Sequence, residues 1–278
     1  MRPTVSSSVI PSRDAPFFLG KVIEMEVKMI ESPDDMQRLA NEWGFLPFFA
    51  NVVPQFSIEE NIDPRWWFSD GSLGDDDDSG QGQDAMGAWD WKGRCILEGD
   101  LAYGKFFHGK AGYISMELFP DFVNYRRSKY KLSMQEKKVL ATLKDNHSLL
   151  SSELRLLSGY GRRRYPHREV NPLLRGVQNT QPRLARPKNT SLKEGFETAI
   201  SKLQMGGRVL IADFEYRYDK RGRRYGWGVA RYSTPEDFFG EDRLLCRRKP
   251  IDSYALLFSR LIRLFPKISP FQLEWVLG

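Results

Sequence analysis

Apolar positions along the chain repeat with two periods, and the switches between them locate the elements. Leu192, Phe196, Ala199, Ile200 and Leu203 fall on one stripe of an α-helix. Ser191 and Glu194 offer a capping box at its start, and Gly206-Gly207 a stop. The next run alternates, with Leu210, Ala212, Phe214, Tyr216 and Tyr218 on one side and Ile211, Asp213, Glu215 and Arg217 on the other. A period of two marks a strand. Asp219 to Arg224 supplies a turn rich in cations, and Tyr225 to Tyr232 returns as the partner strand. A helix followed by a hairpin with a basic tip is the second half of a winged helix-turn-helix, an architecture that binds nucleic acid or mediates protein contacts.

The remaining elements follow from the same signals. Ile23, Met25, Val27 and Met29 alternate with charged residues and predict an edge strand. Ser32-Pro33-Asp34-Asp35 opens a helix with an N-cap, a proline at N1 and acids at the positive helix end. Its stripe is Met36, Leu39, Ala40 and Trp43, and Gly44 closes it. Trp89 to Tyr130, dense in aromatics and glycines, reads as short strands and turns. Ser133 with Glu136 caps a helix to about Lys144, and Ser151 to Leu157 makes a short second helix at helix-turn-helix distance. Tyr254, Leu257, Phe258, Leu261, Ile262 and Phe265 form an amphipathic helix, and Ser269-Pro270 caps a last one. No internal repeat is visible. The organisation expected is α+β: a flexible tail at 1–20, an acidic, aromatic-rich module with β-structure at 21–130, a winged-helix domain at 131–235, and helices at 236–278 packing on the winged-helix core. Residues 71–87 read as a mobile low-complexity loop, and 159–190 as an irregular basic insertion.

Charge sharpens this picture. The net charge of +6 hides a segregation: residues 31–90 carry 14 acidic and 2 basic side chains, and residues 91–278 carry 36 basic and 19 acidic ones. A basic back half points to a polyanion, duplex DNA above all, although both halves could be plain solvated surface. Arg162, Arg163 and Arg164 in the insertion and Lys220, Arg221, Arg223 and Arg224 at the wing tip would meet phosphates rather than bases. No run approaches ~18 apolar residues, so no membrane helix is expected. Cys95 and Cys246 show no metal or redox spacing, which fits a reducing cytoplasm. His108, His147 and His167 are scattered, and neither a metal nor a cofactor is expected.

Gly104-Lys105-Phe106-Phe107-His108-Gly109-Lys110-Ala111 nearly matches a P-loop, but Ala111 stands where a magnesium-binding hydroxyl is required, and two bulky phenylalanines occupy the loop. Trp89, Trp91, Lys92, Tyr103, Lys105, Asn124, Tyr125, Arg126 and Arg127 combine ring faces with cations. They read either as a pocket for a flipped or damaged base or as a β-layer whose tryptophans are core.

The strings Trp89-Asp90-Trp91-Lys92, Tyr103 to Phe107, Phe119 to Arg127 and Tyr225 to Pro235 resemble bacterial AlkZ-related proteins over roughly residues 35–275. These are relatives of the AlkZ (YcaQ-type) winged-helix DNA glycosylases. The resemblance implies tandem winged-helix modules forming a concave DNA-binding surface. It also implies a Gln-x-Gln or Gln-x-Asp motif that positions water against the deoxyribose carbon losing its base. Here the Gln-x-Gln is Gln81-Gly82-Gln83, inside the acidic low-complexity segment, so the catalytic role does not transfer to it. Asp90 and Asp121, close in sequence to Trp89, Trp91 and Tyr125, are the carboxylates that could orient water instead.

Overall fold

A computed structural model describes residues 29–68, 87–160, 194–220 and 224–278, with residues 224–227 described as backbone only. The expected tail, most of the expected edge strand, the acidic segment, Arg162 to Arg164, and Arg221 and Arg223 therefore lie outside the described residues.

The chain builds α1 (Pro33–Trp43), β1 (Phe45–Pro47), α2 (Ile58–Asn61), α3 (Ala88–Glu98), β2 (Leu101–Phe107) and β3 (Lys110–Ser115). After the connecting helix α4 (Phe119–Lys129) come α5 (Met134–Asn146), β4 (Ser148–Leu150), α6 (Ser151–Arg155), α7 (Phe196–Met205), β5 (Leu210–Tyr218) and β6 (Arg224–Ser233). Helices α8 (Pro235–Phe239), α9 (Pro250–Leu264) and α10 (Pro270–Leu277) end the chain. Both sheets are antiparallel, ordered β1-β3-β2 and β4-β6-β5.

The same sequence of elements thus occurs twice: helix, strand, helix, helix, hairpin, with the first strand beside the last. Local details repeat as well. Each first helix reaches its strand through a positive-φ residue, Gly44 (φ 83°) and His147 (φ 59°). Each third helix does so through Asp100 (φ 54°) and Gly207 (φ 62°). A leucine faces a buried tyrosine across each first pairing, Leu46 with Tyr113 and Leu149 with Tyr232. Burial raises both phenols, Tyr232 to about 12. The repeat is hidden in the sequence because the positive-φ positions differ in residue type while sharing the sign of φ, and single leucines and tyrosines far apart in the chain carry no visible pattern.

Capping chemistry sets the helix starts as expected at Ser32, Ser133 and Ser269. Ser32 Oγ accepts from the Asp35 amide at 3.1 Å, and Ser133 and Glu136 close a full capping box. Elsewhere the structure corrects the reading. The stretch 89–130 is half helical, because Trp91, Cys95 and Ile96, then Phe119, Phe122, Val123 and Arg126, recur at helical spacing and bury together. The P-loop-like stretch is a hairpin turning at His108 and Gly109, both with positive φ. Helix α7 begins at Phe196 behind Gly195, so Glu194 makes no capping box; it pairs with Lys202 Nζ at 2.6 Å and accepts from Ser133 Oγ at 2.9 Å.

The two units dock reciprocally: α3 of the first lies on β5 of the second, α7 of the second lies on β2 of the first, and β2 meets β5. Swapped contacts of this kind are what a local two-fold relation produces. Gln204 Oε1 of α7 accepts the Lys105 amide of β2 at 3.0 Å, and the Tyr103 ring meets Phe214 at 5.8 Å.

Helix α4 clamps the assembly. Arg126 is buried, its guanidinium donating to Phe106 O and Val276 O at 3.2 Å and to the Tyr130 hydroxyl at 3.0 Å, with the Phe122 ring 4.9 Å away. Arg127 donates to Gly207 O at 3.0 Å and holds both carboxylate oxygens of Glu236. Tyr125 donates to Gly278 O at 3.1 Å. Helices α9 and α10 pack on α4 and the first unit, where packing on the winged-helix core was expected, whereas α8 stays beside the second unit with Asp237 on His147 at 2.7 Å. Phe265 meets Phe56 and Trp43, and Trp275 stacks on Phe107, which buries these rings of the first unit.

Arg126→Met leaves two carbonyls and a hydroxyl without their donor and should cost about 2–4 kcal/mol in urea unfolding, while exposed Arg94→Met should leave the urea midpoint nearly unchanged. Burial pushes the Glu236 carboxyl up, but the Arg127 hydrogen bonds outweigh it and hold the carboxyl below its ordinary value. Its contribution is therefore complete above the ordinary glutamate range (~4.3) and lost as pH falls through the lower folded-state value. The stability gap between wild type and Glu236→Gln should stay level from pH ~7 to ~5 and shrink at more acidic pH.

Candidate functional site

The reciprocal docking creates a seam where the first turn of α3 meets the hairpin of the second unit. Trp89 sits half-buried among rings, 5.2 Å from Phe48, 5.7 Å from Phe49, 5.9 Å from Trp67, and parallel to Phe68 at 6.1 Å. Trp91 is buried against Trp66 at 5.9 Å. Lys92, 8% exposed, carries its ammonium over two ring faces, 4.7 Å from the Trp89 centroid and 4.3 Å from that of Phe214. A desolvated cation between two π faces is worth about 2 kcal/mol or more for each good contact, which offsets part of the cost of burying it.

Across the seam stand Asp213, Phe214 and Tyr216. The β5–β6 register shifts between Ile211 and Asp213, a bulge that turns Asp213 towards α3. Its Oδ1 accepts from the Phe214 amide at 2.7 Å and lies 3.7 Å from where a Cβ on Gly93 would stand. The Tyr216 ring lies flat over Gly228, where a Cβ would come within 2.7 Å of it, so a glycine is needed there to seat the tyrosine. Tyr103 closes the floor against Tyr113 and Phe214; burial raises its phenol above the ordinary value, so it stays a neutral donor.

The nine residues predicted as one pocket fall into two groups. Trp89, Trp91, Lys92, Tyr103 and the half-buried Lys105 gather at the seam. Asn124, Tyr125, Arg126 and Arg127 belong to the α4 clamp, where Asn124 donates to Arg248 O and Ser253 Oγ, each at 2.9 Å. The two candidate carboxylates separate in the same way. Asp90 sits in the first turn of α3 with Oδ2 buried. Asp121 is buried in α4, and its oxygens accept from Ser253 Oγ at 2.7 Å, Arg248 Nη1 at 2.9 Å and Cys246 Sγ at 3.3 Å. Asp213 escaped the sequence reading because it occupies an ordinary strand position; the break in the alternation that re-aims it exists only in three dimensions.

The outward face of α7 is electrically spent, with Lys202 on Glu194 and Glu197 on Arg155. The hairpin differs: beyond Phe214 it leaves the body, with Arg217, Tyr218 and Lys220 exposed and Arg231 paired to Glu215. Arg224 is described as backbone alone. Burial pushes the Cys95 thiol up to about 12, which makes it inert. Among the described residues no group of three His, Cys, Asp or Glu side chains could hold a metal, and no helix is long and apolar enough to cross a membrane.

Because Asp121 is saturated by structural donors, Asp121→Asn should destabilise the protein by about 2 kcal/mol, measured as a lowered urea midpoint. An unchanged midpoint would mean that this network does not secure α9 to α4.

A family model described as AlkZ related matches residues 30–278. Comparisons with curated proteins and with solved structures gave no match.

Proposed function

The chain belongs to the AlkZ-related family, and from that premise we propose that it binds duplex DNA through two winged-helix modules and removes a damaged base by hydrolysing its N-glycosidic bond. The two modules are residues 33–115 and 134–233. One observation carries the DNA reading: the twice-used order of elements, with the first strand beside the last, ends in the second unit in a projecting hairpin that exposes Arg217, Tyr218 and Lys220. A narrow two-stranded ribbon with cations suits a phosphate-lined groove. The first unit's hairpin turns within two residues, His108 and Gly109, so the units divide the work: the second reaches out and the first supplies the aromatic wall of the seam.

A second reading, a non-catalytic DNA-binding regulator or a protein-interaction module, is favoured by the neutralised face of α7, which offers few groups for reading bases. Base release separates the two: a regulator leaves lesion-bearing DNA intact, whereas a glycosylase leaves abasic sites that hot alkali cleaves.

Fluorescence anisotropy of a labelled duplex over ~50 to 200 mM salt tests the shared premise. Several phosphate contacts predict a steep loss of affinity, and Arg217→Ala with Lys220→Ala should flatten the log–log slope by about 2. No binding at the lowest salt would sink the DNA readings and leave a protein-interaction scaffold.

A further inference from the structure

Hydrolysing an N-glycosidic bond requires a carboxylate or amide with a free lone pair, held rigidly where one water can be pressed against the anomeric carbon. The described carboxylates nearest to the aromatic motifs differ in whether they meet that demand. Asp121 accepts from three donors and holds α9 against α4. Asp90 has its Oδ2 buried within the first turn of α3. Asp213 is half-buried, one oxygen is fixed by the Phe214 amide at 2.7 Å, and Oδ2 has no protein partner among the described residues.

We propose that Asp213 is the water-orienting carboxylate of a catalytic site at the seam, with Lys92 as the cation that receives the departing base. This inference rests on the glycosylase-like reading above. Both groups converge on one residue: Asp213 binds the Phe214 amide, and the Lys92 ammonium lies 4.3 Å over the Phe214 ring. Half-buried Trp89 and Phe214 flank them, with the Lys92 ammonium over a ring face of each and buried Tyr103 beneath, an aromatic wall against which an extrahelical base would be placed. In the reaction the C1′–N bond breaks with its electron pair leaving on the base, where the ammonium lies close to the developing negative charge. Asp213 lowers the energy of the positive charge developing on the sugar and takes a proton from the attacking water as its oxygen bonds to C1′. Asp213 then gives up that proton to solvent and the departed base takes one from solvent, so the sum is addition of one water. The bulge explains why this carboxylate is available: regular pairing would carry Asp213 past α3 instead of towards it.

The test needs no knowledge of the lesion. Two duplexes are compared in anisotropy, one with a neutral tetrahydrofuran abasic site and one with a pyrrolidine that places a positive nitrogen at the anomeric position. Wild type should prefer the cationic analogue by about tenfold or more, since it resembles the transition state. Asp213→Asn should bind the neutral duplex within about twofold of wild type and lose the preference, and Asp213→Glu should recover part of it. A merely structural role would weaken both duplexes together. Absence of the preference in wild type, or its survival in Asp213→Asn, overturns the assignment while leaving DNA binding in place. Failure to bind either duplex at low salt overturns the DNA-binding reading and the assignment together.

Discussion

Arg126 carries a full charge into a site that is 1% exposed, and most of the architecture is arranged to make that tolerable. Burial lowers the guanidinium from its ordinary value, against the opposing pull of Tyr130 and Tyr125. Arginine nevertheless keeps its proton in proteins, so the charge must be met by dipoles. Those dipoles come from separate parts of the chain: Phe106 O from the hairpin of the first unit, Val276 O from the last helix, and the Tyr130 hydroxyl from the end of α4. No sub-assembly satisfies the guanidinium alone, so its burial ties the first unit, α4 and α10 together. Arg127, one residue on, reaches the other way to Gly207 and Glu236 and ties in the second unit. Neighbouring arginines on one helix thereby set the mutual position of two otherwise similar units.

The seam follows from that positioning. With the units held in reciprocal contact, each third helix lies on the first hairpin strand of the other unit, α3 on β5 and α7 on β2, and charged side chains are caught between apolar surfaces. Replacing such groups by apolar ones often stabilises an interface, and the site proposed above gives the lysine and the aspartate there a task beyond packing. The ring faces of Trp89 and Phe214 offset the burial of the lysine, and the aspartate stands at the bulge in β5 with one oxygen on the Phe214 amide.

Local chemistry was the legible part of the sequence. Ser32, Ser133 and Ser269 announce their helices because an N-cap is a short-range bond between a side chain and a nearby amide. The alternation in Leu210–Tyr218 and the stripe in Pro250–Leu264 reflect burial on one face, and the aromatics of 89–92 did mark a cluster rich in rings and cations. Aromatic content misled at α3 and α4, where residues with β preference sit at helical spacing and tertiary packing decides. The duplication was hidden because Gly44 and His147, or Asp100 and Gly207, share a dihedral angle and not a residue type. Asp121 and Asn124 to Arg127 read as site residues because polar groups within an aromatic motif look the same in one dimension whether they bind a ligand or another helix.

If α4 makes the two units one body, they must unfold together. Five of the seven tryptophans (Trp43, Trp66, Trp67, Trp89 and Trp91) precede α4, whereas far-UV circular dichroism reports the helices of both units. Urea unfolding followed by both signals should give one coincident transition with a single midpoint. A tryptophan transition separated from the dichroism transition would show that the units are stable independently, and that the clamp and the seam it creates do not define this protein.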